Sequence, residues 1–166
     1  FSAKGVHRAV AFPLGLYYAH RPGAEAVLQG ARVKVNSAGI RADREYSLEK
    51  PANTYRVAVL GDSATVGFGV AVNETYAAVL ERQLQEASDK TVEVINFGVS
   101  GYGSSQNLIL LKERVLAYGP DLVIVGYHVN DYGVDNVWRT GEAVSWLIPD
   151  FVVEQSDLLG CLLFGS

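Results

Sequence analysis

A serine that follows a short apolar run is the first residue in the chain with the chemistry of a nucleophile. Residues 57–60 (VAVL) predict a buried strand, and Gly61-Asp62-Ser63 turns the chain out of it. In α/β folds, ligands bind at the carboxyl ends of parallel strands, which is where Ser63 is expected. A hydroxyl at that position can attack an acyl carbon if a base takes its proton. The alternative is a turn serine that only bonds local backbone groups.

Two later stretches repeat this pattern of an apolar run followed by polar residues. They are residues 96–103 (NFGVSGYG) and 128–131 (HVND). Because parallel strands end on one edge of a sheet, we expect the Ser63 hydroxyl, N–H groups of the glycine turn at 98–103 and the Asn130 amide to meet there. A hydroxyl with hydrogen-bond donors placed for a developing negative charge suits acyl transfer. The alternative interpretation of Gly101 is a glycine that its turn requires. The alternative for Asn130 is a turn asparagine that bonds its own backbone.

Alternating strands and helices from residue 55 onward would position these residues. Strands are expected at Tyr55–Leu60, Thr91–Asn96 and Asp121–Tyr127. Helical spacing predicts one helix capped by Asn73, with Tyr76, Val79, Leu80, Leu84 and Ala87 on its apolar face. A second helix is expected to be capped by Ser104 or Ser105, to carry Leu108, Leu111 and Val115 on one stripe, and to stop at Gly119-Pro120. The pattern predicts an α/β fold with three α/β/α layers and a flavodoxin-like parallel sheet, of which three of about five strands are identified.

The segments on either side of this unit are less regular. Residues 1–54 are interpreted as an amino-terminal extension with turns at 21–24 and 36–39 and a hairpin that includes the alternating run Ala31–Asn36. Residues 55–166 are interpreted as the main α/β domain, shortened at its carboxyl end. Within it, residues 131–150 are expected to form a long loop, and Gln155 or Ser156 to begin a terminal helix.

Composition and charge exclude several classes of function. A chain of 166 residues suits one globular domain, and its net charge of −4 with 14 scattered Lys and Arg residues argues against a nucleic-acid partner. The single cysteine, Cys161, cannot form an internal disulfide. No His, Cys or carboxylate set has metal-ligand spacing, so the sequence predicts no metal and no cofactor.

Three ordered sequence blocks resemble those of the SGNH (GDSL-type) serine hydrolases. Residues 59–63 (VLGDS) are similar to the first block of that family, residues 96–103 to the second, and Asn130-Asp131 to the third. The resemblance implies that Ser63 is the nucleophile and that an acyl ester is the substrate. It also implies that the Ser63 N–H, the Gly101 N–H and the Asn130 side chain bind the oxyanion. Asp62 is expected instead to hold its loop by accepting backbone N–H groups.

The chain departs from the family pattern in two places. His128 stands where glycine is usual, two residues before Asn130. The final Asp-x-x-His block is absent, and the only histidines are His7, His20 and His128. His128 could in principle act as the base, but a histidine that lines the pocket is the favoured interpretation. Since a serine without a base loses most of its reactivity, we expect this chain not to be a competent esterase alone.

Two hypotheses therefore remain. In the first, the chain is the amino-terminal part of an ester hydrolase or acyl transferase, and the missing Asp and His lie beyond residue 166. In the second, it is a non-catalytic binding or structural subunit of a larger assembly, membrane-associated or not, whose apolar run Leu158–Phe164 is covered by a protein partner. The start at Phe1 without any methionine suggests that sequence is missing, including a possible membrane anchor. The run Val35–Arg41 resembles a lead-in of exported bacterial members, which predicts a periplasmic or extracellular location.

Overall fold

The computed structural model describes residues 6–9, 16 and 18–128. The chain divides into two compact units, residues 1–136 and 137–166, and every described residue belongs to the first. Several sequence-based expectations lie outside the described residues: Asn130, Asp131, the loop at 131–150, the terminal helix and the apolar run Leu158–Phe164.

The described part of the chain contains seven strands and three α-helices. The strands are β1 His7–Ala9, β2 Tyr18–His20, β3 Glu25–Leu28, β4 Ala31–Lys34, β5 Thr54–Gly61, β6 Thr91–Asn96 and β7 Leu122–Gly126. The helices are α1 Ser63–Val66, α2 Tyr76–Glu86 and α3 Ser104–Glu113. Short 3₁₀ helices span Val72–Glu74 and Val115–Tyr118. No described helix is both long enough and apolar enough to cross a bilayer.

The central sheet is parallel, with the strand order β6-β5-β7. Val59 of β5 is level with Asn96 at the end of β6, and Gly61 is level with Gly126 at the end of β7. The three carboxyl ends therefore lie on one edge, as the sequence predicted. The order also fits part of a flavodoxin-like sheet, in which the first strand lies between the second and the third.

Both faces of the sheet are covered, which confirms the three-layer α/β/α arrangement. On one face, Val57 and Val59 pack with Val92, Val94 and Ala77 of α2. The opposite cluster joins β5 and β6 to α3, the second 3₁₀ helix and the amino-terminal segment; it consists of Leu16, Ile40, Ala42, Ala58, Leu60, Ile95, Phe97, Val99, Tyr102, Leu110, Val115 and Tyr118. Alternate residues of β5 thus face two different helical layers.

The strand β5 also carries a fully buried charge. Arg56 is 0% exposed, and its Nε donates to Glu93 on β6 at 2.7 Å. A second guanidinium nitrogen donates to the carbonyl oxygen of Tyr118 at 2.5 Å. The backbone N–H of Arg56 donates to Asp121, which precedes β7, at 2.7 Å. Arg56 therefore connects the central strand β5 to β6 through its side chain and to the residue before β7 through its backbone.

Two antiparallel hairpins precede the sheet. One pairs β3 with β4, and the other, which the sequence did not reveal, pairs β1 with β2. The predicted turn at 36–39 is present because the Asn36 Oδ1 accepts hydrogen bonds from the N–H groups of Ala38 at 3.0 Å and Ile40 at 2.9 Å. The turn near Gly23 is also present, with φ +70° at that glycine.

The three strands were predicted to within one residue at each end, but the helix caps were wrong. Asn73 lies inside a 3₁₀ helix, and Thr75 caps α2 by accepting from the Ala78 N–H at 3.3 Å. Neither Ser104 nor Ser105 caps α3, because Gly103 occupies that position and its N–H donates to Gln106. The helix α3 ends at Glu113, earlier than predicted, and only the 3₁₀ helix that follows it ends just before Gly119, which has a left-handed conformation.

Two expectations about burial were also wrong. On α3, Leu110 is buried whereas Leu108 is only half-buried, so the apolar stripe is rotated from the predicted one. On β7, Val125 is 48% exposed, although the three predicted α/β/α layers would cover both faces of this strand. The side chains of β7 are thus less covered than those of β5 and β6.

Candidate active site

Ser63 begins the helix α1 directly beyond the end of β5. Asp62 caps this helix, since its Oδ1 accepts a hydrogen bond from the Ala64 N–H at 2.9 Å, and the role predicted for Asp62 is therefore confirmed. The Ser63 side chain is half-buried. Within the part of the chain that the structure describes, neither its hydroxyl nor its N–H is engaged in a hydrogen bond. Both groups are therefore left without a partner by the described residues.

Three strand-end glycines surround Thr65, two residues after Ser63. A Cβ added to Gly61, Gly98 or Gly126 would come within 2.1, 2.7 and 2.6 Å, respectively, of the Thr65 side chain. These approaches are possible only without a Cβ, so the glycines let α1 sit directly on the edge of the sheet. The Thr65 hydroxyl also accepts a hydrogen bond from Tyr76 of α2 at 2.9 Å. Thr65 thus anchors the segment that carries Ser63.

Asn96 joins the end of β6 to the same short helix. Its Nδ2 donates to the Thr65 carbonyl oxygen at 2.6 Å, and its Oδ1 accepts from the Gly98 N–H at 3.0 Å. The Asn96 side chain is buried, and these two hydrogen bonds satisfy both of its polar atoms. One carboxamide therefore fixes the loop after β5 and the loop after β6 relative to each other.

The loop after β6 continues beside the end of β5 and leads to Gly101. The Val99 N–H donates to the Gly61 carbonyl oxygen at 3.0 Å, which extends the strand pairing beyond Asn96. Gly101 is exposed and has φ +79°, a left-handed conformation that favours glycine. Its N–H donates no hydrogen bond to any described residue. The structure therefore brings the segments of Ser63 and Gly101 to one edge of the sheet, whereas Asn130 lies outside the described residues.

A buried arginine supports the other end of α1. Arg41, which is 3% exposed, donates from Nη1 to the Val66 carbonyl oxygen at 2.6 Å and from Nη2 to that of Val70 at 2.6 Å. Backbone carbonyls at the end of a helix lack partners within the helix, and a guanidinium can satisfy several at once. Arg41 thus fixes the turn through which the chain leaves α1.

The described histidines differ in their surroundings. His20 is buried and stacked on His7, with ring centroids 5.3 Å apart. Burial, and then the nearby His7, Arg114 and Arg41, lower the pKa of His20 to about 3. Burial also lowers the pKa of His7. His128 follows β7 and is exposed. An imidazole with so low a pKa accepts a proton weakly, so His20 is a poor general base near neutral pH.

Two cavities among the described residues lie apart from Ser63. One, of about 230 Å³, lies between the segment 41–46, α2 and the end of β6. The other lies between the β3–β4 turn and the residues before α2. Neither is lined by Ser63 or Gly101. In the region that the structure describes, no group of three or more His, Cys, Asp or Glu residues could hold a metal ion.

A family model describing GDSL-like lipases and acylhydrolases matches residues 59–148, more than half of the chain. The chain belongs to this GDSL-like family. The match begins within β5, just before Gly61-Asp62-Ser63, and includes β6, the Gly101 loop and β7. No curated protein matches the chain significantly. Membership of the GDSL-like family supports acyl hydrolysis as the class of chemistry. The roles of Ser63, Gly101 and Asn130 stay predictions.

Sequence reasoning missed four residues that position the segments of this GDSL-like chain: Thr65, Arg41, Tyr76 and Tyr18. Arg41 had a signal, since it ends the lead-in run that resembles exported members. Thr65 had a weaker one, because it lies two residues after the candidate nucleophile. Nothing near Tyr18 or Tyr76 in the chain indicated a contact with the strand ends.

Proposed function

We propose that this chain supplies the nucleophile and oxyanion donors of a serine ester hydrolase or acyl transferase. The observation that carries the proposal is the pairing of two strand-end loops, one with Ser63 and one with Gly101. Both have backbone N–H groups without a described partner. Family membership gives independent support for the reaction class.

In the proposed reaction, the Ser63 hydroxyl attacks the carbonyl carbon of an acyl ester. Its proton passes to a base, and the carbonyl oxygen becomes an oxyanion that accepts hydrogen bonds from the N–H groups of Ser63 and Gly101 and from Asn130. Collapse of this intermediate breaks the bond to the alcohol, which leaves with the proton from the base. Water, or a second alcohol in a transferase, then releases the acyl group from Ser63 by the same steps.

Neither His20 nor His7 is the base in this proposal. His20 is buried, and its pKa is lowered to about 3, while His7 is stacked against it. We propose that a histidine oriented by an aspartate, both encoded beyond residue 166, takes the proton. Sequencing the complete reading frame tests this part directly, because an Asp-x-x-His should follow within roughly 100 residues, given the usual size of such domains.

Labelling with a fluorophosphonate probe tests the nucleophile in the full-length product. The expected result is covalent labelling that is lost in Ser63→Ala and kept in Ser47→Ala, which removes an exposed serine from the same chain. Mass spectrometry of the labelled peptide should place the adduct on Ser63. If the folded wild-type protein is not labelled, the catalytic proposal fails, and a non-catalytic subunit becomes the better interpretation.

A further inference from the structure

We propose that Tyr18, from the amino-terminal hairpin, is a positioning residue that orients the Gly101 N–H toward the oxyanion. This inference rests on the function proposed above. The Tyr18 hydroxyl donates to the Ser100 carbonyl oxygen at 2.7 Å, across 82 positions of sequence. That carbonyl and the Gly101 N–H belong to the same peptide group. Tyr18 therefore bonds one side of the group whose other side carries the proposed oxyanion donor.

The planar peptide group couples the direction of the Ser100 carbonyl to the direction of the Gly101 N–H. The peptide bonds of the described chain are trans, so the Ser100 C=O and the Gly101 N–H point in opposite directions within one rigid plane. Fixing the oxygen therefore fixes the direction of the N–H. A hydrogen bond accepted by the carbonyl also polarises the amide and makes its N–H a stronger donor. Both effects favour a preorganised site, which is the arrangement that stabilises a developing oxyanion.

The Tyr18 hydroxyl is itself held in place. Tyr102, which follows Gly101, donates from its hydroxyl to the Tyr18 carbonyl oxygen at 2.5 Å, and the two rings meet edge to face at 5.5 Å. On its other side, Tyr18 meets the His7 ring edge to face at 5.2 Å. Burial raises the pKa of Tyr18, so the hydroxyl remains protonated and can donate at neutral pH. The hairpin and the Gly101 loop thus hold each other by two hydrogen bonds.

Gly101 is adapted to this contact as well as to its turn. A Cβ at this position would lie 2.6 Å from the Tyr18 hydroxyl oxygen, which is too close for any side chain. The left-handed φ of +79° is a separate reason for glycine. The absence of a side chain therefore lets Tyr18 reach the backbone from one side, while the N–H on the other side donates to no described residue.

The test compares Tyr18→Phe with Tyr55→Phe in the full-length protein. Tyr55 is 36% exposed on β5 and serves as the matched control. With p-nitrophenyl acetate, Tyr18→Phe should lower kcat about 3- to 10-fold, the equivalent of one hydrogen bond, with KM unchanged within about two-fold. Tyr55→Phe should leave both constants unchanged. A purely structural role for Tyr18 would shift the unfolding midpoint without this separation of kcat from KM. An unchanged kcat in folded Tyr18→Phe would overturn the proposal.

A second measurement does not depend on catalysis. In ¹⁵N-glycine-labelled protein, Tyr18→Phe should shift the Gly101 amide resonance and accelerate its hydrogen exchange, and Tyr55→Phe should not. An unaffected Gly101 amide would overturn the proposed orientation even if the enzyme is active. If the wild type neither turns over substrate nor reacts with fluorophosphonate, the proposed function fails, and the role of Tyr18 in positioning an oxyanion donor fails with it. The Gly101 amide would then report only on the contact.

Discussion

The carboxamide of Asn96 donates to the carbonyl oxygen of Thr65 at 2.6 Å and joins the end of β6 to the helix that begins at Ser63. The same side chain accepts from the Gly98 N–H at 3.0 Å. Two adjacent loops of the candidate site therefore depend on one buried amide. If these bonds hold the loops in place, removing them should affect both stability and the reactivity of Ser63.

We expect Asn96→Ala to lower the free energy of unfolding by about 2–3 kcal/mol, because two backbone groups lose their buried partner. Fluorophosphonate labelling of Ser63 in the full-length protein should also slow. Urea unfolding followed by circular dichroism measures the first effect. Asn73→Ala removes an exposed asparagine and should change neither quantity. Equal stability of the two variants would contradict the role given to Asn96.

Replacement of Arg41 by lysine should be costly despite the conserved charge. A lysine ammonium cannot reproduce the planar fork that bonds the Val66 and Val70 carbonyl oxygens, so we expect a loss of about 2–3 kcal/mol. Arg44→Lys is the matched control, because Arg44 forms an ion pair with Glu81 and its side chain is 50% exposed. It should cost at most about 1 kcal/mol. Thermal unfolding of both variants measures these losses of stability. A larger loss for Arg44→Lys than for Arg41→Lys would refute the prediction.

Gly98 is predicted to tolerate no side chain. A Cβ would lie 2.7 Å from the Thr65 Cγ2 and 2.8 Å from the Val66 backbone nitrogen, which cannot move without displacing α1. Gly98→Ala should therefore destabilise the protein by about 1–3 kcal/mol and slow Ser63 labelling. Gly119→Ala tests the alternative of backbone strain alone, since Gly119 has φ +59° and open space around it. It should cost about 1 kcal/mol and leave labelling unchanged.

Acid should destabilise the amino-terminal segment through His20. Its pKa of about 3 in the folded protein lies below the ordinary value of 6.5, so only the unfolded chain takes up the proton as the pH falls below 6.5. The free energy of unfolding should then drop by about 1.4 kcal/mol per pH unit from this residue. In His20→Phe, the free energy of unfolding should depend less steeply on pH between 6.5 and 5, because about one proton fewer is taken up on unfolding. Above pH 7.5 the slope should match that of the wild type. Identical slopes in urea titrations across the acid range would rule out His20 as the cause.

The sheet could be predicted from the sequence because its signals are local. Apolar runs gave the three strands, and their alternation with helices gave the parallel arrangement and the shared edge for Ser63 and Gly101. The caps were missed because short-range preference favoured Asn73 and Ser104, while the folded chain uses Thr75 and Gly103. Such preferences are weak and are often overridden by tertiary contacts.

The supporting contacts of the site could not be predicted in the same way. Tyr18 reaches Ser100 across 82 positions, and Asn96 reaches Thr65 across 31. No local pattern encodes such pairs, since each depends on where the fold places two separate segments. Thr65 illustrates this limit, because its position becomes meaningful only when the glycines of three strand ends meet around it.

The buried Arg56 also restricts how the sheet can assemble. Glu93 lies directly opposite it on β6, with Val92 and Val94 on either side. Shifting β5 by one residue relative to β6 would place the guanidinium opposite a valine. The charge would then lack a partner in the core, at a cost of several kcal/mol. Apolar strands of this kind have little else to distinguish one alignment from the next. The ion pair therefore favours one alignment of β5 with β6, and that alignment sets the level at which the loops of the candidate site leave the sheet.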